Sequence, residues 1–363
     1  MKINKSKLTE ALEIVKPGLA NKELIEQATS FAFIEGQVVT YNDEISISHP
    51  VEGLELEGAI LADKLYSILT KLKTDEIEAT INEKEIVLQS GKSKIVLTLQ
   101  SEIKLPLDED VSEVGKFKTL PTNFLKYMKF AVGSCSKDQS QPLLTCVSVS
   151  KDSIVGSDGY RVTQCTMEDS IPVEPFLIPI HSALNVIKLN PTKIAEGAGW
   201  VHFMTEQNTI ISCRILEENY PDISQHVKVK GSKIVLPLSL IEIIDRASVF
   251  AKRDFAFDEL INITIADKKL KVSAECDSGS FEETTNIRYS DQPISFTIMP
   301  YLLRGILSEQ SECTISDSKL KFEGEGWIYV TVLSEEIKTK THKAVKNPNY
   351  KPLRKGEKRC VLS

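Results

Sequence analysis

The sequence has no apolar run that approaches the length of a membrane span, and its first residues contain no apolar signal-peptide core. The first absence argues against an integral membrane protein, and the second leads us to expect a cytoplasmic one. The chain has 363 residues, of which 41% are hydrophobic and 26% are charged. This is an ordinary globular composition, long enough for two or three domains.

The sequence also lacks the spacings typical of metal sites and enzymes. Its seven cysteines are scattered and never form CxxC, so we expect reduced, mostly buried thiols. The five histidines share no metal-ligand spacing, and no serine lies in a nucleophile-elbow pattern. Ser90-Gly-Lys-Ser93 resembles the end of a phosphate-binding loop, but the earlier glycine is missing and the stretch joins two predicted strands. We therefore predict no catalytic residue, metal or cofactor.

What the sequence does contain is an amphipathic pattern that recurs six times, about once every sixty residues. Each copy has apolar residues at i, i+3, i+4 and i+7, which is one face of an α-helix. The six stripes are Leu8, Ala11, Leu12, Val15; Leu65, Ile68, Leu69, Leu72; Phe124, Tyr127, Met128, Ala131; Ile180, Ala183, Leu184, Ile187; Leu240, Ile243, Ile244, Ala247; and Met299, Leu302, Leu303, Ile306. Short alternating or β-branched runs between them predict strands.

A repeat of one helix and a small sheet buries too little apolar surface alone, so we expect two repeats per domain. Boundaries are predicted in the acidic stretch Leu107–Glu113 and around Asn219–Asp222. The predicted domains are residues 1–113, 114–228 and 229–333, each an α+β unit with two helices on antiparallel sheets. Residues 334–363, which are rich in lysine and arginine, are predicted to be a flexible basic tail.

The formal net charge of −7 argues against a nucleic-acid partner unless basic residues are segregated on one surface. The helix faces opposite the apolar stripes carry candidates for such a surface. Lys126 and Lys129 lie opposite the third stripe and Arg304 opposite the sixth. Others flank the remaining stripes: Lys64, Lys71, Lys188 and Arg246. Acidic residues on the first and fifth helices argue against a uniformly basic face.

Six short segments, taken in order, resemble one known family. They are Met1-Lys-Ile3, Tyr41-Asn-Asp-Glu44, Val87–Lys94, Ser157-Asp-Gly-Tyr-Arg-Val162, Glu218-Asn-Tyr-Pro-Asp222 and Tyr329-Val-Thr-Val-Leu333. Together they make residues 1 to about 333 similar to the bacterial replicative sliding clamp, the β subunit of DNA polymerase III. The resemblance implies a DNA-clamp fold and a head-to-tail homodimer that closes into a ring. Such a ring encircles duplex DNA without sequence preference and tethers the polymerase as a processivity factor.

The resemblance also implies two sets of site residues. The DNA-facing set would comprise Lys64, Lys71, Lys92, Lys94, Lys126, Lys129, Lys188, Arg246 and Arg304. A pocket for short peptide motifs of the polymerase and clamp loader would comprise Leu144, Ser157, Gly159, Tyr160, Arg161, Val162, Tyr301, Val330 and Val332. No membrane partner is implied.

The chain departs from the family at several places. Tyr160 replaces a histidine, Leu333 replaces a proline, and a basic segment follows the last predicted strand. Cys360-Val-Leu-Ser363 matches a prenylation pattern that does not fit a bacterial-type clamp.

Two other functions are compatible with the sequence. One is an open, monomeric scaffold that has the same repeat but binds only proteins. The other is a nuclease or hydrolase that uses carboxylates such as Asp43, Glu44 and Asp158.

Overall fold

The computed structural model describes residues 1–111, 114–255 and 258–334. Seven α-helices lie in these ranges. Their bounds are α1 Lys5–Val15, α2 Ala62–Leu69, α3 Leu107–Asp110, α4 Phe124–Val132, α5 Ile180–Leu189, α6 Leu240–Ala251 and α7 Pro300–Arg304. The predicted tail lies outside the described residues apart from Ser334. Across the described ranges, none of the helices combines the length and apolarity that a membrane crossing requires.

Two of the four antiparallel sheets have four strands each. The first has the order β1, β6, β7, β8, with bounds Lys2–Asn4, Glu76–Asn82, Glu85–Ser90 and Ser93–Thr98. The second has the order β20, β19, β18, β21, with bounds Gly279–Asn286, Lys269–Cys276, Ile261–Ala266 and Ile294–Ile298. Strands β8 and β20 therefore lie at sheet edges.

The other two sheets have eight strands each. One has the order β5, β2, β3, β4, β16, β15, β14, β9, with bounds Gly58–Leu61, Ser30–Ile34, Gln37–Tyr41, Ile45–Pro50, Ile210–Arg214, Trp200–Met204, Lys193–Gly197 and Lys118–Thr119. The other has the order β13, β10, β11, β12, β24, β23, β22, β17, with bounds Phe176–Pro179, Cys146–Val149, Ser153–Ser157, Arg161–Thr166, Trp327–Val332, Lys319–Gly324, Glu312–Ile315 and Ser232–Val235.

Each eight-stranded sheet joins two distant parts of the chain. Strand β4 pairs with β16, with Ile45 opposite Cys213. Strand β12 pairs with β24, with Arg161 opposite Thr331. Backbone hydrogen bonds thus continue from strand to strand across both junctions, which makes each junction a continuous sheet.

The helices pack on the sheets through the predicted apolar stripes. All four residues of the first, third, fifth and sixth stripes are buried. Asn4 begins α1 as its N-cap, because its side-chain oxygen accepts the N–H of Lys7 at 2.9 Å. In the second stripe Leu72 lies beyond the end of α2, and α7 is a single short turn.

The prediction for the fourth stripe is wrong, because α5 buries a different face from the one that the stripe predicts. Leu184 is 52% exposed, whereas Ser182, Ala183 and Val186 form the buried face of α5. The helix begins directly after β13 and packs against α4. Small side chains at Ser182 and Ala183 suit such a contact, and they place the longer Leu184 toward solvent.

Two chain segments cover the outer faces of the junction sheets. Ile103, Leu105 and Leu107 pack near Tyr41 and Trp200 over the β4–β16 junction. Tyr220, Ile223, Val227 and Val229 pack over Val155, Val162 and Val330 at the β12–β24 junction. We call this second segment, residues 219–229, the crossing segment. The first segment reaches the predicted boundary stretch Leu107–Glu113 at Leu107, and the crossing segment begins with the predicted boundary Asn219–Asp222.

His202 on β15 is fully buried in the sheet that contains the β4–β16 junction. Its Nδ1 lies 2.8 Å from the Ser212 hydroxyl, and its Nε2 has no hydrogen-bond partner among the described residues. Burial lowers the pKa of His202 to about 4, so the folded protein holds this ring neutral at mildly acidic pH.

We expect acid to destabilise the protein through His202. Between pH 6.5 and about 4 the unfolded chain binds a proton that the folded chain does not, so stability falls as the pH falls through this window. Near pH 4 the free energy of unfolding should be lower than at pH 7 by as much as about 3 kcal/mol. Urea unfolding at pH 7 and pH 4.5 should show a smaller acid loss for His202→Gln than for the native chain. The exposed His181→Gln serves as control, and equal losses in all three proteins would contradict the assignment.

Candidate functional site

A cleft of about 220 Å³ opens on the outer face of the β12–β24 junction. Its lining comprises Leu144, Ser157, Gly159, Tyr160, Arg161, Val162, Pro221, Asp222, Ile223, His226, Lys319, Val330, Thr331 and Val332. Eight of the nine residues that the resemblance assigns to a peptide pocket are brought together here. The ninth, Tyr301, lies behind the wall, with its ring 5.1 Å from the guanidinium of Arg161.

The turn between β11 and β12 fixes the shape of one wall. The carboxylate of Asp158 accepts the backbone N–H groups of Tyr160 at 3.0 Å and Arg161 at 2.9 Å. Gly159 has φ +86°, a left-handed conformation that favours glycine. The Ser157 hydroxyl donates to the carbonyl of Arg161 at 2.8 Å. These bonds hold the ring of Tyr160, which is 40% exposed, at the mouth of the cleft.

Arg161 connects the turn to α7 and β24, which both follow the crossing segment in the sequence. Its Nε donates to Asp158 at 3.0 Å, and both side chains are largely buried. Burial disfavours the charged guanidinium, but Tyr329, Asp158 and Tyr301 outweigh it and raise the pKa of Arg161. Burial raises the pKa of Tyr301 to about 12, so its neutral ring stays beneath the guanidinium. Arg161 therefore remains charged and ties β12 to β24 and α7.

The same arginine also reaches a second cavity, of about 360 Å³, on the helix side of the junction. Lys126 and Lys129 of α4 line this cavity together with Ile306 and Glu309. Arg161 therefore lines both the outer cleft and the helix-side cavity.

Sequence reasoning missed six residues of the cleft: Pro221, Asp222, Ile223, His226, Lys319 and Thr331. The first four belong to the crossing segment, whose Tyr-Pro-Asp stretch the sequence marks as a domain boundary and a point of family resemblance but not as part of a pocket. Lys319 and Thr331 come from neighbouring strands. Their positions depend on which strands pair, and local sequence does not reveal this.

The predicted DNA-facing cations lie in three different settings. Lys64, Lys126, Lys129 and Lys188 are exposed on helices, and Lys71 is exposed just after α2. They make no ion pair with another described residue. Arg246 and Arg304 differ, since Arg246 binds Glu283 through two 2.8 Å hydrogen bonds and Arg304 lies 2.9 Å from Asp245. Lys92 and Lys94 lie in the β7–β8 hairpin and on edge strand β8, away from the helices.

The carboxylates of the alternative hydrolase interpretation lie apart. Asp43 pairs with Arg214 at 3.0 Å near the β4–β16 junction, and Asp158 pairs with Arg161 at the other junction. Within residues 1–111, 114–255 and 258–334, no three histidine, cysteine or acidic side chains are grouped so that they could hold a metal ion.

Comparison with known proteins gives a consistent result in sequence and in fold. No protein-family model matches the chain. The β sliding clamp of Buchnera aphidicola from Acyrthosiphon pisum is 24% identical over 268 residues, which are 69% of this chain and 72% of the relative. The β sliding clamp of Streptococcus pneumoniae R6 is 27% identical over 248 residues, 61% of this chain and 65% of the relative.

Solved structures match over more of the chain. The DNA polymerase III subunit β of Pseudomonas aeruginosa has a TM-score of 0.80 at 17% identity, covering 92% of this chain and 99% of that one. The DNA polymerase sliding clamp of Bacillus subtilis has a TM-score of 0.77 at 18% identity, and the match covers 92% of this chain and 98% of that one. The fold is the sliding-clamp fold, and the resemblance to a divergent bacterial-type clamp is confirmed.

We expect Arg161→Met to lower the free energy of unfolding by about 3 kcal/mol, because it leaves the buried carboxylate of Asp158 without its partner. Adding Asp158→Asn should restore part of this loss. Arg304→Met, which breaks a far more exposed pair, should cost at most about 1 kcal/mol. Urea unfolding of the four proteins measures the comparison. Equal losses for the two single variants would show that Arg161 does not hold the junction.

Proposed function

We propose that the protein is a DNA sliding clamp, a ring of two head-to-tail copies that encircles duplex DNA and tethers a polymerase as a processivity factor. The observation that carries this proposal is the match to the sliding-clamp fold over 92% of the chain. A closed ring holds DNA by topology, so it needs only weak phosphate contacts and slides freely. The role requires no catalysis, metal or cofactor, and it belongs in the cytoplasm with replicating DNA.

The sheet arrangement supports ring closure. We divide the chain into domains 1–113, 114–228 and 229–333, with a basic tail from 334. Each of the two junctions within one chain is a continuous eight-stranded sheet, whereas the first and third domains each keep a four-stranded sheet. Pairing β8 of one copy with β20 of another would turn these into eight-stranded sheets as well. The two junctions between copies would be identical by head-to-tail symmetry, and they would resemble the two junctions within each chain.

The exposed edge of β8 also carries an apolar side chain. Lys92 and Lys94 belong to the hairpin and strand at this edge, whereas Glu282 and Glu283 of β20 already pair with Lys271 and Arg246 of the same chain. Val96, at the centre of β8, is 50% exposed. An unpaired edge with an exposed apolar side chain readily accepts another strand.

We propose that unpaired lysines of the helix layer contact the DNA phosphates, principally Lys64, Lys71, Lys126, Lys129 and Lys188. Arg246 and Arg304 contribute less, because Glu283 and Asp245 already balance their charges. Lys92 and Lys94 lie away from this layer. The outer cleft is proposed to bind short peptide motifs of the polymerase and clamp loader, since its walls are mostly apolar and Tyr160 stands at its mouth.

Retention on circular DNA tests ring closure. Loaded onto nicked circular DNA by a bacterial clamp loader, the protein should co-elute with the DNA in gel filtration and come off when the circle is cut. Val96→Glu should prevent retention and shift the sedimentation mass from dimer to monomer, because it places a charge at the proposed interface.

Thr80→Glu is the matched control. Thr80 and Val96 both lie opposite Val87, so they share one sheet face, but Thr80 is on the inner strand β6. This variant should behave like the native protein. Equal retention on circular and cut DNA would contradict the ring, and a monomeric mass with no retention on either DNA would favour the open scaffold that binds only proteins.

Neutral substitutions test the lysine surface. Fluorescence anisotropy measures binding to a labelled linear duplex across a series of salt concentrations. The slope of log binding constant against log salt concentration should be smaller in magnitude by about 2 in Lys126→Gln/Lys129→Gln, because two phosphate contacts are lost. Arg304→Gln should change the slope less, since its charge is paired with Asp245. An unchanged slope in the double lysine variant would remove these residues from the DNA-facing set.

A further inference from the structure

The outer cleft is apolar along its floor and charged at one end. Val162 lies opposite Val330 in the β12–β24 ladder, and Lys319 lies opposite Val332 in the β23–β24 ladder. Directly opposed residues share a sheet face, and so do alternate residues of one strand. Val162, Val330, Val332 and Lys319 therefore face the same side, and Lys319 ends the row of valines.

Lys319 also reaches the crossing segment. Its ammonium group lies 3.4 Å from the backbone carbonyl of His226, a long contact for a hydrogen bond. The side chains of Lys319 and His226 both line the cleft. Strand and crossing segment thus meet at this end, with two nitrogen-bearing side chains beside the apolar floor.

The other charged groups of the cleft already have partners. Arg161 is held by Asp158 and the two tyrosines behind it. Asp222 accepts the N–H of Ser224 at 2.8 Å and its hydroxyl at 3.1 Å, and these bonds lower the pKa of Asp222. Lys319, in contrast, forms no ion pair with any carboxylate among the described residues. An ammonium group beside an apolar floor favours a ligand that supplies a carboxylate next to apolar side chains.

We propose that Lys319, with His226 beside it, forms a carboxylate subsite of the cleft, and that the partner peptide carries an aspartate or glutamate next to the apolar residues that occupy the valine floor. This inference rests on the proposed function of the cleft as a peptide site. It adds the chemistry of the peptide, which has an acidic residue at one fixed position and apolar residues beside it. Lys319 acts here as a specificity-determining residue.

Selection from a random peptide display library on the native dimer tests the proposal. Peptides whose binding is lost in Tyr160→Ala are taken as ligands of the cleft. We expect them to carry an acidic residue at a constant distance from an apolar pair. Changing that residue to its amide should weaken binding to the native protein about five- to tenfold. The same change should have no effect on binding to Lys319→Met.

Lys228→Met is the matched control, because Lys228 is exposed on the crossing segment and does not line the cleft. It should retain the full preference for the acidic peptide. Cleft peptides without a conserved acidic residue, or with equal affinity for Lys319→Met, would overturn the subsite and leave the cleft as a peptide site. A library that yields no Tyr160-dependent peptide would overturn both.

Discussion

Continuity of backbone hydrogen bonding across the two junctions is the constraint on which the architecture depends. Strands β4 and β16 are far apart in sequence, as are β12 and β24, yet each pair forms a full antiparallel ladder. A ladder fixes both the distance and the relative twist of the units that it joins. Helices α1, α2, α4 and α5 follow from this, since each packs on an eight-stranded sheet whose position the ladder has already set, whereas α6 packs on the four-stranded sheet of β18 to β21. The outer cleft follows too, because its floor consists of side chains from both sides of one ladder.

Arg161 shows how one junction combines several tasks. It begins β12, supports the turn that carries Tyr160, and contacts aromatic rings of α7 and β24. It also lines cavities on both sides of the sheet. Buried charge is costly unless fully paired, and this guanidinium is surrounded by a carboxylate and two tyrosines. Arg161 is thus shared by the outer cleft and by the helix-side cavity that Lys126 and Lys129 line.

Much of the fold was predictable because it depends on local patterns. The stripe over α6 and the hairpin of β18 and β19 follow from periodicity and turn residues alone. The phase of α5 was not predictable, since it depends on the packing of α5 against α4. The candidate site was likewise predictable only where it depends on local sequence. The turn at Ser157–Arg161 is a local motif, whereas Lys319 enters the cleft only through pairing between β23 and β24. The partners of Arg246 and Arg304 likewise depend on tertiary contacts.

The free margins of β8 and β20 have a consequence for biosynthesis. In the proposed ring the partner copy covers β8 and β20, but in a newly folded single chain these two edges are open to pairing with an unrelated strand. Association into the proposed ring is second order in concentration, so dilute chains keep both edges exposed for longer. The yield of native protein should therefore depend on the expression level and on how fast the proposed dimer forms, even where the stability of each chain is ample.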